Sequence, residues 1–103
     1  MADDASQRDE FWLKVYRKSP DVVTRKVAGE LFLVPLRGKV ADMQRIFSLS
    51  PVAELIWQEI DAHKTVADIR EQVISSFEVT TETAASDIEE FITELRQAKL
   101  IVE

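Results

Sequence analysis

The chain of 103 residues has no cysteine. Disulfide frameworks, thiolate nucleophiles, iron–sulfur clusters and cysteine-based zinc sites are therefore excluded. Its only imidazole is His63. A serine triad would need that ring to be oriented by a carboxylate and to reach a serine, and Ser48, Ser50, Ser75 and Ser76 have no nucleophile-elbow context. His63 reads instead as a solvated residue or as a cap on the free carbonyls of a helix end. There are only two glycines, Gly29 and Gly38, nine positions apart, and neither opens a helix, so no loop cradles a phosphate. No apolar run approaches the roughly 20 residues that cross a bilayer. Met1 to Glu10 carries Asp3, Asp4, Asp9 and Glu10 against Arg8, and lacks the basic start and apolar stretch of a secretory signal. These absences predict a cytoplasmic protein with a flexible tail over residues 1–10 and a single domain over residues 11–103.

What is present is an ordinary soluble composition, 46% hydrophobic and 31% charged, enough for one core without staples. Thirteen basic residues face 19 acidic ones, a net charge of −6. That sign opposes attachment to phosphate backbones and anionic membranes, and makes a neutral or basic peptide the easier partner.

The order of segments carries most of the information. Phe11 to Lys18 holds Trp12 and Tyr16, aromatics expected to pack down on the domain, although their spacing does not decide helix from strand. Ser19-Pro20-Asp21 then breaks the segment. Val22 to Val27 is β-branched and ends at Ala28-Gly29, after which Glu30 to Val34 resumes an apolar run that Pro35 stops. This is the pattern of two strands joined by a tight turn. After the polar stretch from Arg37 to Asp42, Gln44 to Leu49 reads as a third strand. It has Phe47 and Leu49 on one face, Ile46 and Ser48 on the other, and the polar Gln44 and Arg45 suit an edge.

Three helices follow. Ser50-Pro51 is a start signal, with Val52, Leu55, Ile56 and Ile60 on one face and Trp57 beside them. Thr65 with Asp68 opens the next helix, whose stripe is Val66, Ile69, Val73 and Phe77. Thr80 or Thr81 caps the last, whose stripe is Ala84, Ile88, Phe91, Ile92 and Leu95. Leu100 to Val102 add a short extended end. The expected core is Leu33, Phe47, Leu49, Ile56, Trp57, Ile69, Val73, Ile88, Phe91 and Leu95.

Carboxylates cluster at Asp87, Glu89, Glu90 and Glu94, but helical spacing spreads them into a solvated face rather than a metal site or an acid–base pair. From Glu82 to Lys99 the last helix has five acids and two bases, a balance of −3 that would repel a DNA duplex. Basic residues gather instead in the strand half, at Lys14, Arg17, Lys18, Arg25, Lys26, Arg37, Lys39 and Arg45.

Read in order, Val22-Val23-Thr24-Arg25, Gly29 to Pro35, Ile46 to Ser50 running into Ile56-Trp57, Thr65-Val66 with Asp68-Ile69, Asp87-Ile88 with Phe91-Ile92 and Leu95, and Lys99-Leu100-Ile101 resemble the PqqD-like family. Its members are peptide-binding modules also called RiPP recognition elements. The resemblance runs from Val22 to Ile101. It implies an α+β fold, a winged helix-turn-helix with a three-stranded antiparallel sheet followed by three helices. It also implies a non-catalytic chaperone that captures the leader of a ribosomally made precursor peptide and presents it to a modifying enzyme, often of the radical S-adenosylmethionine type. The leader would add as a strand beside the third strand and lie against the last helix. Those positions are here Gln44, Arg45, Ile46, Phe47 and Ser48, with Ala84, Asp87, Phe91 and Glu94. No cofactor, catalytic residue, metal, nucleic acid or membrane is implied. The tail with its Trp12/Tyr16 segment and the long Leu36 to Met43 connection depart from the family pattern. Two other classes are set beside this one: a winged-helix transcription regulator, and an interaction domain that uses the same edge to form a homodimer.

Overall fold

The computed structural model describes residues 10–36 and 46–103. The tail expected before Glu10, most of the Leu36 to Met43 connection, and Gln44 and Arg45 lie outside them. A helical turn at residues 10–13 leads into β1 (Arg17–Lys18), β2 (Val22–Val27), β3 (Glu30–Pro35) and β4 (Phe47–Leu49). These are followed by α1 (Pro51–Glu59), α2 (Val66–Ser76), α3 (Thr81–Gln97) and β5 (Ile101–Val102).

The β2–β3 hairpin turns through Ala28 and Gly29, with φ of 53° and 83°. Two central residues at positive φ give the turn whose twist matches that of the strands it joins, and only glycine takes such a φ at no steric cost. β3 pairs antiparallel with both β2 and β4, giving the sheet order β2-β3-β4. One face of the sheet turns Leu31, Leu33 and Leu49 into the core, with Phe47 packed at its margin.

The helix starts follow the sequence signals. Ser50 accepts from the Ala53 N–H, and Pro51 occupies the first turn, where its missing donor costs nothing. Thr65 and Asp68 form a complete reciprocal capping box. Between Thr80 and Thr81, Thr80 is the cap, its hydroxyl accepting from the Thr83 N–H. α3 stops with Lys99 at a φ of 62°, and the Leu100 N–H returns to the Leu95 carbonyl at 2.9 Å. That closure turns the chain into β5.

β5 pairs with β1, a two-stranded ribbon joining the two ends of the described chain. Arg17–Lys18 carries no apolar alternation, so nothing local marks it as a strand. The aromatic segment before it does pack down. Phe11 meets Trp12 edge to face, the Arg70 guanidinium lies 4.6 Å from the Trp12 ring centre, and Tyr16 is buried. Every residue of the expected core is buried or, for Phe47, packed against it. Tyr16, Leu31, Ile60, Val66, Ala84, Ile92, Leu100 and Ile101 complete it.

Tyr16 supplies a first test. Its hydroxyl is buried without a hydrogen-bond partner, and burial pushes its ionisation above the ordinary value of 10.0, against the weaker pull of the Arg96 and Lys14 charges. A raised phenol means that the native state favours the proton. Its contribution is complete below the ordinary value and is lost as pH rises through the raised one. Because the chain has one tyrosine, absorbance at alkaline pH reads it directly. Ionisation should run late and coincide with loss of structure. Tyr16→Phe should change stability by no more than about 1 kcal/mol, since the one group drawn to the buried hydroxyl, the Arg96 guanidinium, makes at most a weak bond to it.

A candidate peptide-binding strand edge

β4 lies at one side of the sheet, with β3 on its inner side and no described strand on its outer side. Which of its amides face outward follows from the hairpin. A two-residue turn makes Val27 and Glu30 a hydrogen-bonded pair, and pairing then alternates along β3. Glu30, Phe32 and Val34 therefore direct their backbone groups to β2, and Leu31 and Leu33 direct theirs to β4. The Leu36 N–H continues the alternation by donating to the Asp21 carbonyl at 2.7 Å. Since Leu31 stands opposite Leu49, and Leu33 opposite Phe47, Phe47 and Leu49 spend their backbone groups on β3. Ser48 presents its own to the open side; Ile46, described but just outside the strand, which begins at Phe47 rather than at the expected Gln44, is the next position of the same parity.

Side chains on this strand divide in the same rhythm. Leu49 is buried and Phe47 half-buried, whereas Ser48 is exposed and Ile46 retains 55% of its surface. The Ser48 hydroxyl donates to the Glu30 carboxylate across the outer face of the sheet. The site residues expected on α3 fall on one flank of that helix. Ala84 is fully buried and Phe91 keeps 8% exposure, the most among the buried residues of α3. Asp87 and Glu94 stand outside them in solvent. At 100° per residue, Asp87 and Glu94 project on the same side, with Phe91 between them and the core stripe. α3 thus offers an aromatic rim edged by two carboxylates, neither of them in an ion pair among the described residues.

β4 packs on α1, and α3 packs on α1, α2 and β5. The strand and the flank of α3 are thus held by common neighbours rather than by close packing on each other. Ala84 is closed off in the core and Phe91 shows only its edge, which leaves Asp87 and Glu94 as the accessible members on the helix, and Phe47 and Ser48 on the strand with Ile46 just before it. Among the described residues no group of three or more His, Asp or Glu side chains could hold a metal, and no helix is long and apolar enough to cross a membrane.

A small antiparallel sheet whose lateral strands pair with no further described strand, beside a three-helix layer, defines an open-edged winged-helix domain. Residues 30–101, well over half of the chain, match the family described as coenzyme PQQ synthesis protein D (PqqD). The chain belongs to the PqqD family. A comparison with curated proteins finds no significant sequence match. Two similar solved structures are TbiB1 in complex with the TbiA(beta) leader peptide and lasso peptide synthetase B1 complexed with the leader peptide. The first has a TM-score of 0.67 and 22% identity, covering 82% of this chain and 93% of that one. The second has a TM-score of 0.71 and 21% identity, covering 87% of this chain and 100% of that one. At such identities the likeness is one of fold.

Proposed function

We propose that the chain is a non-catalytic peptide-binding chaperone that takes up the leader of a ribosomally made precursor as an added strand on β4 and presents it to a peptide-modifying enzyme. The observation that carries this reading is the outward backbone position of Ser48, with Ile46 two residues before it, on the open edge of a PqqD-family sheet. An extended peptide gains affinity from such an edge, and the side chains beside it select the sequence. Both solved proteins of similar fold are described in complex with a leader peptide. A radical S-adenosylmethionine enzyme acting in the cytoplasm is the expected recipient.

The peptide-contact set is Gln44, Arg45, Ile46, Phe47 and Ser48 on the strand side, with Asp87, Phe91 and Glu94 on α3 and Ala84 beneath them. Phe91 gives an apolar floor, and the carboxylates of Asp87 and Glu94 favour a leader with basic positions. A DNA-reading role for α3 is disfavoured because its exposed surface carries Glu82, Asp87, Glu89, Glu90 and Glu94.

The test is calorimetric titration with a precursor peptide taken from the neighbouring reading frames. Saturable binding to the leader half and none to the core half is expected. Lysine-to-glutamate changes in the leader should weaken binding several-fold at low salt and less at high salt, because screening shortens the reach of Asp87 and Glu94. No binding to the leader, with tight and strongly salt-dependent binding to a 20-base-pair duplex, would reverse the assignment.

A further inference from the structure

The sheet has a second lateral strand, β2, and the alternation that opens Ile46 and Ser48 on one side opens Val22, Thr24 and Lys26 on the other. Each of these stands in a non-hydrogen-bonded pair with β3, opposite Pro35, Leu33 and Leu31. No described strand pairs with their outer side. Beneath this edge runs a cleft of about 420 Å³, lined by Lys18, Ser19, Val22, Thr24, Leu31 and Trp57. The ion pair of Lys26 with Glu54, at 3.0 Å, bridges β2 to α1 near the cleft.

Charge in and around the cleft is unevenly satisfied. Lys64 holds both Glu59 and Asp61, at 2.9 and 3.3 Å, and Glu54 is taken by Lys26 and Gln58. Lys18 has no carboxylate in contact among the described residues. The residue is exposed, and its ammonium lies 5.0 Å from the centre of the Trp57 ring; partial burial against that ring lowers its pKa, opposed by the Asp61 and Glu59 carboxylates, which are themselves held by Lys64. A carboxylate arriving there would meet an accessible cation already set against an aromatic ring. Arg25, exposed on β2, and Arg17, exposed beside Lys18 on β1, add positive charge nearby, whereas Lys26 is already matched by Glu54.

We propose that the β2 edge and its cleft form a second strand-addition site, which takes an extended acidic segment of the modifying enzyme and places one of its carboxylates on Lys18. The proposal rests on the leader-chaperone reading for the identity of the partner, and on the cleft alone for its chemistry. Electrostatics separates the two edges. The α3 side, with Asp87 and Glu94, suits a basic leader, whereas the β2 side suits an acidic strand. With leader and enzyme on opposite edges, one three-stranded sheet would hold both at once, the two added strands about 19 Å apart, four strand spacings across the sheet.

The test is amide and indole NMR of the full chain, titrated with a capped eight-residue peptide alternating threonine and glutamate, and with its lysine counterpart. Shifts centred on Val22, Thr24, Lys26 and the Trp57 indole N–H are expected with the glutamate peptide, and at least tenfold weaker binding with the lysine peptide. Lys18→Met should weaken the glutamate peptide by a similar factor. Thr24→Pro, which removes an outward amide without touching the β3 ladder, should abolish the shifts in a folded protein. Neither variant should change leader affinity. Shifts that are absent, that are equal for both peptides, or that survive both variants would overturn the proposal. A chain that binds the glutamate peptide at β2 but no leader at β4 would refute the leader reading and leave the second site standing.

Discussion

Proline at Ser48 is expected to leave the domain folded and to cut leader affinity by roughly 5- to 150-fold, whereas proline at Phe47 is expected to unfold or strongly destabilise it. Both changes remove one backbone N–H from the same three-residue strand. They differ in where that N–H points. The Ser48 amide faces the open side, so its loss deletes one peptide hydrogen bond and strands a peptide carbonyl, about 1–3 kcal/mol in sum. The Phe47 amide faces Leu33, so its loss breaks the internal ladder and drives a ring into β3, about 3 kcal/mol or more. Ser48→Ala is the control. It removes the hydroxyl that donates to Glu30 but keeps the amide, and should bind the leader almost as the parent does. Equal leader affinity in the parent and in a folded Ser48→Pro variant would eliminate strand addition at this edge.

The second large effect is on stability. Leu95 on α3 and Ile56 on α1 are 0% and 1% exposed, and the cluster they share joins the sheet to the helices. Truncation of either to alanine removes three buried carbons and leaves a cavity the neighbours fill only in part, which should cost on the order of 2–5 kcal/mol. A domain of this size is stable by about 5–15 kcal/mol, so either variant would lose a large share of that total. Glu89→Ala, on the solvated side of α3, should stay within about 0.5 kcal/mol. Urea denaturation of the three variants checks both claims. A small loss for Leu95→Ala would mean that the α3 stripe is not the seam of the core.

Much of the fold is legible in the chain because its signals are local. Ser50-Pro51, Thr65 with Asp68, and Thr80 each mark a helix start through groups within three residues of one another. The stripes on the helices then follow from a period of 3.6. Ala28-Gly29 fixes the hairpin in the same way. Reading fails where structure depends on distant pairing. Arg17–Lys18 becomes a strand only because Ile101–Val102 lies beside it. The segment from Phe11 to Lys18 is ambiguous by periodicity because it is a helical turn at one end and a strand at the other.

The candidate site divides along the same line. Alternation places Ile46 and Ser48 together and away from the core, and the α3 stripe places Asp87 and Glu94 outside Phe91. The direction of the backbone amides on β4 is not contained in β4 itself. It is inherited from the β2–β3 turn through the pairing of β3, so it appears only once the register is known. The cleft at Lys18 was equally hidden, since its walls come from the segment before β2, from β2 and β3, and from Trp57 on α1.

The most direct measurement of the central claim is residue-resolved amide hydrogen exchange, with and without the leader. In the free protein, Phe47 and Leu49 should be protected by their bonds to β3, while Ile46 and Ser48 exchange rapidly. Saturating leader should slow Ile46 and Ser48 by at least tenfold and leave Val22, Thr24 and Lys26 on the far edge unchanged. Leader binding that leaves the exchange of Ile46 and Ser48 unaltered would contradict the account.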